Sequence, residues 1–266
     1  MKNRIITGIL FGSLWLLTIW TGSLHIFWLV AVIICAAGLY EFFNIALKGT
    51  ARPYRLAAIF IGLLPVFAAQ SGRQDLVQFF FVMALFGAAL LTIAGYQNRD
   101  NEFLFLAKIC AGLSFIGLTT AHLVLLMAEA RGMNWLLLLT LIITASDTSA
   151  YFTGTALGRH KLCPKISPGK TLEGFVGGLA GAVVVTLLSG PLLFGNIDQY
   201  RLVILALVLS CLGVVGDLTE SVFKRSWQVK DSGAILPGHG GILDRVDSIL
   251  AAGPALYYII AFRIIS

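Results

Sequence analysis

Between Ser221 and Asp247 the sequence SVFKRSWQVKDSGAILPGHGGILDRVD sets Lys224, Arg225, Lys230, Asp231, His239, Asp244, Arg245 and Asp247 into 27 residues, in a chain only 12% charged. Solubility alone does not account for seven charges and a histidine at that density. Bases that hold a polyanion beside carboxylates that hold a hard cation would account for them. Asp244 and Asp247 are three residues apart, which on a helix puts both carboxylates on one face. The same spacing is common on a merely solvated face, so it carries little weight alone. Pro237, Gly238, Gly240 and Gly241 bracket His239 in a loop with no room for regular structure, where backbone amides can approach a ligand closely. His239 reads as a ligand contact in preference to a general base.

Two more carboxylates stand inside apolar runs: Asp147 in TASDTSAYFTG, and Asp217, with Glu220 just beyond it, in GVVGDLTESVFKR. A carboxylate at membrane depth costs roughly 2.5–3.5 kcal/mol on insertion scales and is a functional candidate by default. The plainer alternative is an ion pair with a lysine or arginine from a neighbouring loop. With Asp244 and Asp247, Asp217 or Asp147 could form the oxygen-rich pocket that Mg2+ requires. No His or Cys cluster competes for a softer metal.

The second polar segment, 158–173, reads GRHKLCPKISPGKTLE. Ser167 followed by Pro168 predicts an N-cap and first helical turn there, ahead of an apolar run from 171. Lys170 would then sit in a first turn, where the helix dipole disfavours a cation unless a phosphate shares the site. A lysine snorkelling to lipid headgroups explains it equally well. Gly174, Gly177, Gly178 and Gly181 give small-residue faces for close helix packing.

These residues need elements to position them. The chain of 266 residues is 58% hydrophobic, outside the soluble globular range. A spanning helix takes about 20 apolar residues, and runs of that kind fall near 5–20, 24–46, 55–70, 76–96, 104–127, 134–157, 171–194, 201–222 and 242–264. The expected fold is an all-α, polytopic integral membrane protein of about nine helices, forming one integral domain. Residues 1–20 are basic and then apolar like a signal peptide, but no small-x-small cleavage site follows them, and they are kept as the first helix. With the N-terminus in the cytoplasm, 15 of the 19 lysines and arginines fall inside and only Arg73, Arg131, Arg201 and Arg263 outside. Both polar segments then face the cytoplasm.

Residues 1–130 read as scaffold or lipid-facing helices and 131–266 as the catalytic half. In the first part Glu41 is expected to pair with a basic residue of the 48–55 loop, and His122 to make an interhelical hydrogen bond. Net charge of +6 without a basic run or soluble module argues for anionic lipid, not nucleic acid. Cys35, Cys110, Cys163 and Cys211 are scattered without a CxxC pair, against a disulfide framework or zinc site. The residues by themselves reach a cytoplasm-facing, Mg2+-dependent site for phosphorylated groups. They do not choose between a phosphorylated lipid and a nucleotide.

The Ser221–Asp247 stretch resembles the signature of the phosphatidate cytidylyltransferase (CDP-diacylglycerol synthase) family, S-x-hydrophobic-K-R, then K-D, a small residue, H-G-G and D-R-x-D. Ser221, Lys224, Arg225, Lys230, Asp231, Gly233, Leu236, Pro237, His239, Gly240, Gly241, Asp244, Arg245 and Asp247 all fit it. Asp147–Gly154, as D-x-x-A-Y-x-x-G, and Lys165–Gly174, as K-I-S-P-x-K-T-x-E-G, are similar to the same family. The likeness covers roughly 145–250. It departs at Gly169-Lys170, where members often have Lys-Lys, and at Thr155, where they often have a base.

The resemblance implies transfer of CMP from CTP to phosphatidic acid, giving CDP-diacylglycerol and pyrophosphate in phospholipid biosynthesis. It also implies Mg2+, with K+ as a further cation, at a multi-pass protein of the inner cell membrane, with a homodimer suggested by the family. On that reading Asp217, Asp244 and Asp247 hold metal, with Lys224 and Asp147 in the catalytic set. Lys165, Ser167, Lys170, Thr171, Glu173, Arg225, Lys230, Asp231, His239, Gly240 and Arg245 bind substrate. The runner-up is a cytidylyltransferase or kinase acting on another lipid or polyprenyl phosphate. A membrane transporter is less favoured, because the charges cluster in one half of the chain.

Overall fold

The apolar runs become helices because a backbone in hydrocarbon must satisfy its own hydrogen bonds. The computed structural model describes residues 2–96, 101–195, 197–233, 235 and 240–265, those at 2–7, 9 and 11 by backbone alone. Its helices are α1 Lys2–Trp20, α2 Leu24–Ala46, α3 Arg52–Ala69, α4 Gln74–Ala94, α5 Glu102–Gly112, α6 Thr119–Ala128, α7 Gly132–Leu157, α8 Leu172–Phe194, α9 Gln199–Ser226 and α10 Leu243–Ala261. A π-helical segment, Leu113–Leu118, joins α5 to α6, so Glu102–Ala128 runs as one element. Among the described residues seven helices are long and apolar enough to cross a membrane: α2, α3, α4, Glu102–Ala128, α7, α8 and α9. The protein is a helical, polytopic membrane protein.

The chain forms two compact units, Met1–Ala128 with Val229–Val246, and Glu129–Gln228 with Asp247–Ser266. In the first, Phe27, Leu39, Phe42, Phe43, Ile109, Leu113 and Ile116 are fully or almost fully buried. Outward positions such as Leu29, Ile33, Phe60, Phe86 and Leu90 are exposed and apolar, the surface a helix presents to lipid. Gly117 has no side chain because a Cβ there would strike the Gly62 carbonyl.

In the second unit α7 and α8 pack backbone to backbone, as the glycine spacing predicts. A Cβ at Gly174 would lie 2.8 Å from the Ala150 carbonyl and one at Gly178 3.0 Å from that of Ser146, and at Gly177 and Gly181 it would collide with Thr153 and Ser149. Ser146 and Ser210 join α7 to α9 through a buried hydroxyl pair at 2.6 Å.

One expectation is overturned. Ser167 and Pro168 do not start a helix; they lie on strand β2, Ser167–Thr171, paired antiparallel with β1, Lys161–Cys163. Thr171 is the real cap of α8, its hydroxyl accepting from the Gly174 amide at 3.0 Å. Proline is tolerated in a two-stranded ribbon, where its missing donor can face outward. Lys170 is therefore a strand residue, and the helix dipole does not act on it as expected.

Candidate active site

The strand places Lys170 over α9. Its Nζ lies 2.7 Å from Asp217 Oδ2, with the two side chains 25% and 36% exposed. Asp217 Oδ1 accepts from Ser221 one turn on, at 3.4 Å. Asp147, exposed on α7, and Asp247, buried on α10, are close enough to Asp217 for their charges to act on one another. Lys170 offsets Asp147, and Lys224 offsets Asp247. Lys224 is itself largely buried and bonds Glu220 at 2.7 Å. Three carboxylates and two ammonium groups thus share one neighbourhood of the second unit. The negative charges repel, and a site of this kind is stabilised by any further cation that enters it.

The hairpin and the end of α9 are tied together. Arg225 donates through Nε to the Ile166 carbonyl at 3.2 Å, holding the turn of the hairpin. Glu173 accepts from the Arg159 amide at 3.0 Å and lies 2.6 Å from His160 Nδ1, so its carboxylate closes the loop leading into β1. Lys165 is exposed at the hairpin turn, Ser167 is half-buried beside it, and Thr171 is buried under its cap role.

The other residues that the sequence nominates for substrate or metal belong to the first unit. Asp244, in the first turn of α10, accepts three hydrogen bonds on Oδ2: from the Ser232 amide at 3.0 Å, the Ser232 hydroxyl at 2.8 Å and the Gly241 amide at 2.9 Å. One carboxylate oxygen therefore closes the base of the loop between 232 and 241. Gly240 adopts φ +80°, a left-handed conformation that favours glycine. Lys230, Asp231 and Arg245 are exposed around this loop. His239, with Leu236, Pro237 and Gly238, lies outside the described residues.

Sequence reasoning misplaced Glu41. It does not reach the 48–55 loop, where Arg55 bonds Asn44 instead at 2.8 Å. Its Oε2 accepts from the Leu243 amide at 3.1 Å and from the Ser232 hydroxyl at 3.3 Å. Ser232 was also missed, and Glu220, noted beside Asp217, was given no partner, where the structure pairs it with Lys224. The available signal was a lone carboxylate in a helix that is otherwise apolar.

Fold and site together define a polytopic helical membrane enzyme whose polar groups are carboxylates, ammonium groups and hydroxyls suited to phosphorylated substrates. The chain matches the Cytidylyltransferase family over residues 2–263, and it belongs to that family. It is 34% identical over 268 residues to the phosphatidate cytidylyltransferase of Bacillus subtilis (strain 168), covering 98% of each chain. It is 35% identical over 259 residues to that of Staphylococcus saprophyticus, covering 96% of this chain and 97% of the relative. The Staphylococcus aureus (strain COL) enzyme of the same name is 34% identical over 259 residues, with the same coverage.

Proposed function

We propose that this chain transfers CMP from CTP to phosphatidic acid, releasing pyrophosphate, with its site on the cytoplasmic face of the inner membrane. The observation that carries the reading is similarity over 98% of the chain to an enzyme named phosphatidate cytidylyltransferase. The 15-to-4 distribution of lysine and arginine supports the orientation and an N-terminus in the cytoplasm.

In this reaction an oxygen of the lipid phosphate attacks the α-phosphorus of CTP, and the bond to the α,β-bridging oxygen breaks as pyrophosphate leaves. A phosphate monoester is already ionised near neutral pH, so neither a protein nucleophile nor a general base is required. The barrier is the approach of two polyanions, and catalysis becomes positioning and charge compensation. Lys170 and Lys224 are oriented before substrate arrives, by Asp217 and Glu220 respectively. Lys165 and Arg225, in the same unit, add positive charge for the triphosphate.

Asp217 and Asp247 would hold Mg2+, which when bound screens phosphate charge. Their all-oxygen chemistry fits that ion. Among the described residues no three His, Cys, Asp or Glu side chains form a ready-made metal group. Mg2+ commonly takes only one or two carboxylates and completes its shell with water and substrate phosphates. Asp147 adds to the negative field that draws the cation, and Asp244 orders the loop.

The test is purified full-length protein in detergent, given CTP and Mg2+ with either phosphatidic acid or a polyprenyl phosphate. CDP-diacylglycerol from phosphatidic acid is expected. Product from the polyprenyl phosphate alone would overturn the lipid assignment and leave nucleotidyl transfer standing.

A further inference from the structure

Glu41 is 3% exposed, sits on α2 far in sequence from the polar segments, and takes part in none of the chemistry above. Burying a carboxylate is costly unless its oxygens are used. Oε2 is used: it accepts from Leu243, the first residue of α10, and from the Ser232 hydroxyl. Ser232 in turn donates its amide to Asp244 Oδ2, its hydroxyl lies closer to that oxygen (2.8 Å) than to Glu41, and Gly241 donates to the same oxygen. Glu41 thus reaches both ends of the loop that opens at Ser232 and closes at Gly241, as well as the helix that follows. A carboxylate beside the first amides of a helix is also favoured by the helix dipole, here supplied from a different helix.

The glycines of this loop answer to the same carboxylate. A Cβ at Gly233 would collide with Glu41 Oε1, and one at Gly241 would lie 2.5 Å from Oε2 and collide with the Ser232 hydroxyl. Gly233 has no positive φ, so space and not backbone conformation keeps it a glycine. Oε1 is buried with no hydrogen-bond partner among the described residues and sits against Gly233.

We propose that Glu41 is a positioning residue for nucleotide transfer: its buried carboxylate anchors the base of the 232–241 loop and the start of α10 to α2. It thereby fixes where Lys230, Asp231, Asp244 and Arg245 stand, the charged groups that this unit offers to CTP. The kinetic part of this inference rests on the reading in the preceding subsection; the structural part does not.

Two measurements on the full-length protein in detergent separate these parts. Hydrogen exchange of Glu41→Ala is expected to lose protection at the Ser232, Gly241 and Leu243 amides while α8 and α9 keep theirs. Unchanged protection at those three amides refutes the anchor whatever the enzyme's substrate. In steady-state kinetics, Glu41→Ala lowers kcat/KM for CTP by about 10²-fold, the cost of an ångström-scale misplacement, with KM for phosphatidic acid unchanged. Glu41→Gln, which keeps an oxygen for Leu243, recovers most of the loss. Equal losses toward both substrates, or no rescue by glutamine, would reduce Glu41 to a general structural role and overturn the proposal. Gly233→Ala tests the same contact should Glu41→Ala not be obtained folded. Alone it reproduces the loss in kcat/KM for CTP. Combined with Glu41→Ala it adds little, because the group it strikes is gone; additive losses would contradict the contact.

Discussion

Removing Lys170 and removing Asp217 delete the same ion pair, yet the two changes are expected to differ in their effect on stability. The pair spans 2.7 Å between side chains 25% and 36% exposed, and at that exposure it contributes about 1 kcal/mol at most. Lys170→Ala loses this and also leaves Asp217 facing Asp147 and Asp247 without its ammonium group. Like-charge repulsion in a partly solvated cluster adds on the order of 1–2 kcal/mol. Asp217→Asn loses the pair but relieves the repulsion, so the two contributions nearly cancel. Lys170→Ala should therefore lower Tm by roughly 5–10 °C and Asp217→Asn by less than about 4 °C. The double variant should be more stable than Lys170→Ala alone. Thermal unfolding of the detergent-solubilised protein, followed by loss of the monodisperse peak, reads all three. Raising salt should narrow the gap between the single variants. Both should lose at least about 10²-fold in turnover, since on the proposed reading Lys170 meets phosphate and Asp217 holds Mg2+. Equal, additive losses of stability would refute the shared carboxylate field, and near-normal turnover in either single variant would remove the cluster from the active site.

Two further outcomes test the frame that holds the cluster. Gly177→Ala and Gly181→Ala push a methyl into Thr153 and Ser149 on α7; each should lower Tm by several degrees, whereas Gly169→Ala, with nothing within 4 Å, should leave it unchanged. Thr171→Val keeps the shape but deletes the cap on Gly174, and should cost about 1 kcal/mol, seen in unfolding and in faster exchange at the first turn of α8.

Hydropathy carried most of the architecture into the sequence, since an apolar run about 20 residues long has few options but a helix across the bilayer. All nine expected runs are helical in the structure, seven of them long and apolar enough among the described residues to cross a membrane, and Glu102–Ala128 carries a π-helical segment that hydropathy does not encode. The carboxylates within apolar helices were legible because Asp147 and Asp217 interrupt runs that otherwise exclude charge. Partners were not. Lys170 finds Asp217 through a hairpin that local sequence disguised, because Ser167-Pro168 is as good a helix start as Thr171 is. Glu41 meets Ser232 across 191 residues of chain, and no local pattern announces a contact at that separation. His160, unremarked in the sequence, closes a loop with Glu173 for the same reason: the bond forms only once the hairpin has brought them together.

The most direct measurement of the central claim follows two labels of CTP through a single turnover of the full-length protein with phosphatidic acid and Mg2+. Label at the α-phosphorus is expected in the lipid product and label at the γ-phosphorus in pyrophosphate, with neither transferred after chelation by EDTA. Label from the γ-phosphorus appearing in the lipid would mean phosphoryl transfer by a kinase and would contradict the account.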